Sequence, residues 1–493
     1  MRDSPSEYRN VRPVASSGFV WSFVGLAGRQ LIIVAFSIAL ARMLGPDAYG
    51  VVAQAAVYMT LTTLLLDQGI SAALLSARSV SRPLAGAAAT INLSLAAVLG
   101  AITFAAAPLM AGFFRTPELT HILWVLAGAL LFKGASIVPR LLLARSLNFR
   151  RQAVVDVSSA AVGGAVAVIA ALGGADYWAL VIQTLLADAI SAVLLTALAR
   201  PPVPNFQLRL LQETFGFSSR ALGSSLISYT VQNIDNVLVG RFMGAVDLAH
   251  YSLGYRVLTT PIQMIGQAVT RVLFPSVARA RHTDRSPAPL IARSITGISL
   301  ITFPAMALVA VSSSTTVPLL LGDSWEPVIP VLSVLAISGA RQSVTTVNTA
   351  VMLGMGRADV TLRFSLVAAT VQISGIIIGL QFGILGVAAG LTLAGFLVTP
   401  IIAVLQKRIA DFPIRAQILA VIPALHGTAW AIAVYLLLGL WIEEPWTHLV
   451  LGTSAGVAVY AIVLLFAHRS AIRLAARALK FERAVKNETD HKE

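Results

Sequence analysis

Fourteen continuous apolar runs, each about 20 residues or longer, divide this chain and restrict what it can become. They fall near 17–41, 47–74, 84–110, 119–143, 152–173, 175–199, 215–241, 248–278, 289–312, 327–353, 360–381, 384–406, 415–440 and 446–468. Runs of this length match the hydrocarbon thickness of a bilayer when coiled as helices. They lack the period-two alternation of an outer-membrane barrel strand. Only 12% of the residues are charged while 57% are hydrophobic, and the mean hydropathy is +0.81. A water-soluble chain of this size needs far more charge to cover its surface. The expected fold class is therefore all-α, a polytopic membrane protein of about 14 transmembrane helices. Gly45-Pro46, Thr116-Pro117, Gly173-Gly174, Pro201-Pro202, Gly322-Asp323 and Glu444-Pro445 mark the short connections.

The net charge of +14 is a topology signal rather than a nucleic-acid footprint, because the bases are confined to alternate connections. With the amino terminus inside, roughly 26 basic residues lie on inner segments and span edges. Only Arg42, Arg115 and Arg241 lie outside. This places both termini in the cytoplasm and requires an even number of spans. The tail, 469–493, is basic and intersperses Ile472, Leu474, Leu479 and Phe481 with its charges, a pattern suited to the inner leaflet surface.

The chain repeats itself at a spacing of about 200 residues. Ala41-Arg-Met-Leu-Gly45 is echoed by Gly240-Arg-Phe-Met-Gly244, and Gly174-Ala-Asp-Tyr-Trp-Ala-Leu180 occupies the same relative place as Gly383-Ile-Leu-Gly-Val-Ala-Ala389. Residues 1–200 and 201–410 then read as two six-helix bundles, with 411–468 adding two helices outside the repeat. Repeats of this kind in transporters enclose the substrate site.

Charges within the runs point to that site. Arg220, Ser224, Ser228, Gln232 and Asp235 recur at helical spacing, as do Arg256, Thr260, Gln263, Gln267 and Arg271. Lipid penalises such stripes by about 2.5–3.5 kcal/mol per central charge, so they must face protein or a watery cavity. Arg29, Lys133, Arg256 and Arg341 lie nearest mid-depth. Arg140, Arg220 and Arg271 lie towards the cytoplasmic side, where a bland role as snorkelling cations competes with binding. Lys133, Ser136 and Arg140 share one helix face, and Arg341, Thr345 and Asn348 another. Cations outnumber the intramembrane acids Asp67, Asp156, Asp188 and Asp235. A cavity lined in this way favours an anion. Asp188 and Asp235 are the candidates for ion coupling, or serve as structural partners of an arginine.

Enzyme signatures are absent: no Walker loop, dinucleotide fingerprint or His-Glu-x-x-His is present. No catalytic residue, cofactor or metal site is expected. The seven histidines are scattered, and there is no cysteine to form a disulfide or thiolate ligand. The Gly-x-x-x-Gly pair Gly375 and Gly379 reads as helix packing.

The segment Ala39-Leu-Ala-Arg-Met-Leu-Gly45-Pro-Asp-Ala-Tyr49-Gly50, followed by Asp67-Gln-Gly69 and Ala72-Ala-Leu-Leu75, resembles bacterial polysaccharide transporters. It is most similar to the oligosaccharide flippases of the multidrug/oligosaccharidyl-lipid/polysaccharide exporter superfamily. Asn233-Ile-Asp235-Asn236, Gly240, Gly244, Tyr251 and Phe274-Pro275 form the matching second-half pattern, with His250 standing where the family often has glycine. The resemblance implies two bundles around a central cavity and a polyprenyl-pyrophosphate-linked oligosaccharide as substrate. Such a protein would move its substrate from the inner to the outer leaflet of the bacterial inner membrane, for exopolysaccharide, capsule or O-antigen assembly. Membrane lipids, a polysaccharide polymerase and glycosyltransferases are the partners it implies. Rival readings are a multidrug exporter, whose cavity for cationic drugs should be acidic, and a membrane polymerase or ligase, which needs a larger outer loop.

Overall fold

The computed structural model describes residues 11–68, 80–207, 226, 229–230, 232–283, 286–471 and 473. Among these the regular structure is helical throughout, with no strand. In chain order the helices are α1 (Val11–Gln68), α2 (Arg82–Phe114), α3 (Leu119–Arg145), α4 (Phe149–Leu172) and α5 (Trp178–Ala199), then α6 (232–242) and α7 (Ala245–His282). They continue with α8 (Ala288–Leu321), α9 (Val328–Gly354), α10 (Ala358–Gly379), α11 (Gly383–Ala410), α12 (Ile414–Gly439) and α13 (Pro445–Ala467). Among the described residues, ten stretches are long and apolar enough to cross a membrane, and two of them, Gly28–Asp67 and Ala358–Ala410, each hold two helical segments. Much of the expected span near 215–241 lies outside the described residues, so the expected total of fourteen is not fixed by them.

Local chemistry sets the breaks. α1 kinks where Gly45 adopts φ 74° and Pro46 follows without an N–H to donate, which opens the run into two segments. Ser81 caps α2, its hydroxyl accepting from the Leu84 N–H at 3.3 Å, with proline in the first turn. α2 stops at Arg115, whose left-handed conformation returns its N–H to the helix's last carbonyls.

The helices group into two compact units, Met1–Ala249 and His250–Glu493. In the first, α2 packs on α3, α1 on α4, and α5 on both α3 and α4. Leu119, Ile122, Leu123 and Leu130 of α3 are fully buried and centre its core. In the second, α8 packs on α9, α12 and α13, while α11 packs on α9 and α10 and α12 on α13. α12 and α13, which follow the expected repeat, pack within the second unit. Hydroxyls rather than charges tie these helices: Thr302 and Ser343 meet at 2.8 Å, Thr296 donates to the Ala420 carbonyl at 3.0 Å, and Tyr460 donates to that of Leu300 at 2.7 Å.

Gly375 and Gly379 do serve helix packing. A Cβ on Gly379 would lie 2.2 Å from the Gly386 carbonyl oxygen, and one on Gly375 would lie 2.6 Å from that of Gly390. Only glycines let α10 and α11 come this close. Large apolar side chains such as Leu109, Ile378 and Leu436 point outward, the surface expected where lipid is the solvent.

Candidate functional site

Each unit holds charged side chains at mid-depth, and the two sets differ in kind. In the first unit, α3 supplies Lys133 and Arg140, two turns apart on one face. Lys133 stands 14 residues from Leu119 and 12 from Arg145, about 20 Å from either end of its helix. Its ammonium lies 3.6 Å from Asp188 Oδ2 on α5 and donates to Thr63 Oγ1 on α1 at 3.3 Å. Arg140 makes a forked pair with Asp156 of α4, at 2.8 and 3.1 Å, and donates to Ser191 Oγ of α5 at 3.3 Å. The Arg140 carbonyl in turn accepts from Gln152 Nε2 at 2.6 Å.

The fork is the stronger contact, because two parallel charge-assisted hydrogen bonds fix both direction and distance. The Lys133–Asp188 contact is longer, and both side chains keep about a quarter of their surface exposed. Asp67 of α1 feels the charges of Lys133 and Arg140, and Asp188 those of Lys133 and Arg29. Arg29 itself is exposed on α1. Ser136, on the same face as Lys133, spends its hydroxyl on the Lys133 carbonyl at 2.8 Å. Asp235 of α6 is buried, and its Oδ1 accepts from the backbone N–H and the side-chain amide of Asn236 at 2.8 and 3.3 Å.

The second unit contains a cavity of about 720 Å³ within α8, α9, α11 and α12. Its walls are almost wholly apolar, with Met306, Ile337, Phe396 and Ile418 among them, and Arg341 is the charged residue on its lining. Arg341 sits 13 residues from each end of α9, again about 20 Å along the helix from either end. No carboxylate approaches it among the described residues. The Arg341 guanidinium lies over the Phe396 ring, 6.0 Å from its centroid, and its Nε is buried without a hydrogen-bond partner.

Room for the guanidinium comes from Gly395. A Cβ there would lie 2.4 to 2.7 Å from Nη2, Cζ and Nε of Arg341. Thr345, one turn on, lines the same cavity while donating its own hydroxyl to the Gln342 carbonyl at 3.0 Å. Asn348 is buried, and its side-chain oxygen lacks a partner.

The remaining expected site residues are placed less fully. Arg256 is exposed on α7, as is Gln263. Arg271 belongs to the same helix, but its side chain lies outside the described residues, and Arg220 lies outside them altogether. The structure therefore joins Lys133, Arg140 and Asp188, with Arg29 in electrostatic reach, and seats Arg341 in the second unit. Thr63, Ser191, Gln152, Gly395 and Phe396 were not picked out by sequence reasoning. They have no marker beyond ordinary span composition, since their partners come from other helices. No group of three or more metal-ligating side chains occurs among the described residues.

The sequence matches the family model for polysaccharide biosynthesis proteins over residues 39–330. It is 27% identical over 299 residues to the teichuronic acid biosynthesis protein TuaB of Bacillus subtilis (strain 168), covering 60% of this chain and 62% of that one. It is 25% identical over 481 residues to the succinoglycan biosynthesis transport protein ExoT of Rhizobium meliloti (strain 1021), covering 95% of this chain and 94% of that one. The fold is similar to that of the lipid II flippase MurJ in an inward closed conformation. The TM-score is 0.72 at 13% identity, over 92% of this chain and 100% of that one.

Proposed function

The chain belongs to the polysaccharide biosynthesis protein family, and from that premise we propose that it flips a polyprenyl-diphosphate-linked oligosaccharide across the bacterial cytoplasmic membrane. One observation carries this reading. Mid-depth cations occur in both units, and the acids beside them leave cationic groups available. Arg341 has no acid beside it among the described residues, and Lys133 is held by Asp188 at 3.6 Å rather than in a closed fork. A half-buried cation with no acid beside it is costly in a bilayer, and a passing diphosphate would offset that cost. Cationic drugs, the cargo of the rival exporter reading, would meet repulsion at Lys133 and Arg341 instead.

Arg29, Lys133, Arg256 and Arg341 are assigned to the diphosphate, and Arg220 and Arg271 to its approach from the cytoplasmic side. Arg140, committed to Asp156, acts as a strut that holds α3 to α4. Asp188 keeps Lys133 neutralised until the diphosphate arrives and then becomes free to take up a cation or proton. Asp235 is the second candidate for that coupling. The cycle is alternating access, with the sugars in water and the isoprenoid chain in lipid. An interior-negative potential assists outward passage by about 2.3 kcal/mol per charge per 100 mV.

The test is reconstitution into vesicles with a fluorescent polyprenyl-diphosphate sugar, scoring transfer between leaflets. Wild-type protein should equilibrate the probe. Arg29→Ala and Arg256→Ala should abolish transfer at normal protein abundance. Undiminished transfer in both variants would refute the assigned roles, and no transfer by the wild type would refute the function.

A further inference from the structure

The connection that leaves α5 is fastened rather than loose. It begins Arg200-Pro-Pro-Val-Pro-Asn-Phe-Gln207, and Asn205 commits every polar group it has. Its backbone N–H donates to the Gly86 carbonyl of α2 at 3.3 Å, and its own carbonyl accepts from Thr90 Oγ1 at 2.6 Å. Nδ2 donates to the Pro83 carbonyl at 2.9 Å, while Oδ1 accepts from the Gln207 N–H at 3.0 Å. Gly86 makes the seat. A Cβ there would lie 2.3 Å from Asn205 Nδ2 and 2.7 Å from the Val203 carbonyl oxygen. The segment is thus moored along the first turns of α2.

This mooring leaves two large apolar side chains bare. Val203 is 83% exposed and Phe206 86%, whereas Pro202 and Asn205 are half-buried. A repeat of three residues is that of an extended, proline-rich chain, and it sets Val203 and Phe206 on one edge with Asn205 on another. Pro201, Pro202 and Pro204 have no N–H, so the strap carries few backbone donors that call for water.

Depth and charge say what covers that edge. α2 has 33 residues, about 50 Å of helix, against about 30 Å of hydrocarbon. Centred on the bilayer, such a helix extends about 10 Å past the hydrocarbon at either end. The groups that hold Asn205, from Pro83 to Thr90, then run from the headgroups to the acyl boundary. Arg82 and Arg200 are exposed beside the strap in the chain, and Arg78 and Arg209 flank it further out. No acid occurs from 68 to 117 or from 189 to 212. Cations without acids match the anionic headgroups of the cytoplasmic leaflet, the side to which the charge asymmetry assigns this connection.

We infer that residues 201–207 are a membrane-surface anchor, moored to α2 through Asn205 and seating Val203 and Phe206 in the inner leaflet. Arg82 and Arg200 lie among the anionic headgroups, and the two apolar side chains reach the acyl boundary beneath them. The partner is a phospholipid surface, and the connection that follows α5 is held against it instead of standing free in water. The anchor does not depend on what the chain transports.

The chain has no cysteine, so Phe206→Cys can carry a single nitroxide on the full protein without background. In nanodiscs containing phosphatidylglycerol, power saturation should show that label open to oxygen and shielded from a water-soluble nickel chelate. Ser286→Cys, on an exposed connection, gives the aqueous reference. Adding Asn205→Ala should sharpen the Phe206→Cys line shape and raise its nickel collisions towards that reference, and Thr90→Val should do so in part. Replacing phosphatidylglycerol by phosphatidylcholine should raise them as well. A Phe206→Cys label as open to nickel as the reference would overturn the anchor. So would a label shielded from oxygen and nickel alike, which would mean that protein covers the edge. No response to Asn205→Ala would refute the mooring, and no response to lipid charge would refute the anionic partner.

Discussion

On α3 of the first unit, Lys133 and Arg140 each face a carboxylate from a neighbouring helix. On α9 of the second unit, Arg341 faces an aromatic ring, a glycine and the apolar wall of a 720 Å³ cavity. A basic side chain on a spanning helix is thus used in two ways. Paired with an acid in a closed fork, an arginine holds helices together and its charge is spent. Seated without an acid among the described residues, it leaves its charge unspent, and the protein must stabilise it by other means, here Phe396 beneath it and the space left by Gly395. Lys133 stands between these cases, partnered but loosely.

The comparison can be broken most sharply at Arg341. Arg341→Gln should lower flipping in reconstituted vesicles by about 10- to 100-fold, the scale of a lost charge-assisted contact, with melting temperature unchanged or raised. Gly395→Ala should fall in the same direction and add nothing to the Arg341→Gln variant. A Gly395→Ala protein with full activity would show that the guanidinium does not need its present seat. A smaller effect, on stability rather than transport, is expected at the fork. Asp156→Ala should destabilise the protein by about 1–3 kcal/mol, between the values for exposed and buried pairs, because Arg140 is left unpaired. Adding Arg140→Met should restore much of that loss by removing the stranded charge. If the double variant is no better than the single one, the fork is not acting as a strut.

The smallest effect is expected at a helix cap. Glu444 caps α13, its carboxylate accepting from the backbone N–H groups of Trp446 and Thr447. Hydrogen bonding from Thr447 holds that carboxyl below the usual range. Its stabilising effect is therefore present above the ordinary carboxylate value and fades as pH falls through the lowered one. Glu444→Gln should show a slight loss of thermal stability at neutral pH, and that difference should disappear in acid. A difference that grew in acid would reverse the sign of the linkage.

Legibility divided along physical lines. Run length and the absence of alternation made the all-helical membrane class plain, since the bilayer imposes both. Mid-depth charges such as Lys133 and Arg341 were visible because lipid makes charge rare. Their company was not visible. Asp156 lies 16 residues from Arg140 and Ser191 lies 51 away, and no spacing rule links them. Gly395 looked like any other small residue of a packed span.

By itself, then, the sequence determined the solvent of this protein, the runs long and apolar enough to cross it and which side chains would be out of place there. It could do so because the bilayer acts on each segment one residue at a time. Only the tertiary structure decided that Arg140 is closed against Asp156 while Arg341 looks into a cavity. That outcome depends on which helices touch and at what height, and helix packing sets both through contacts between residues far apart in the chain.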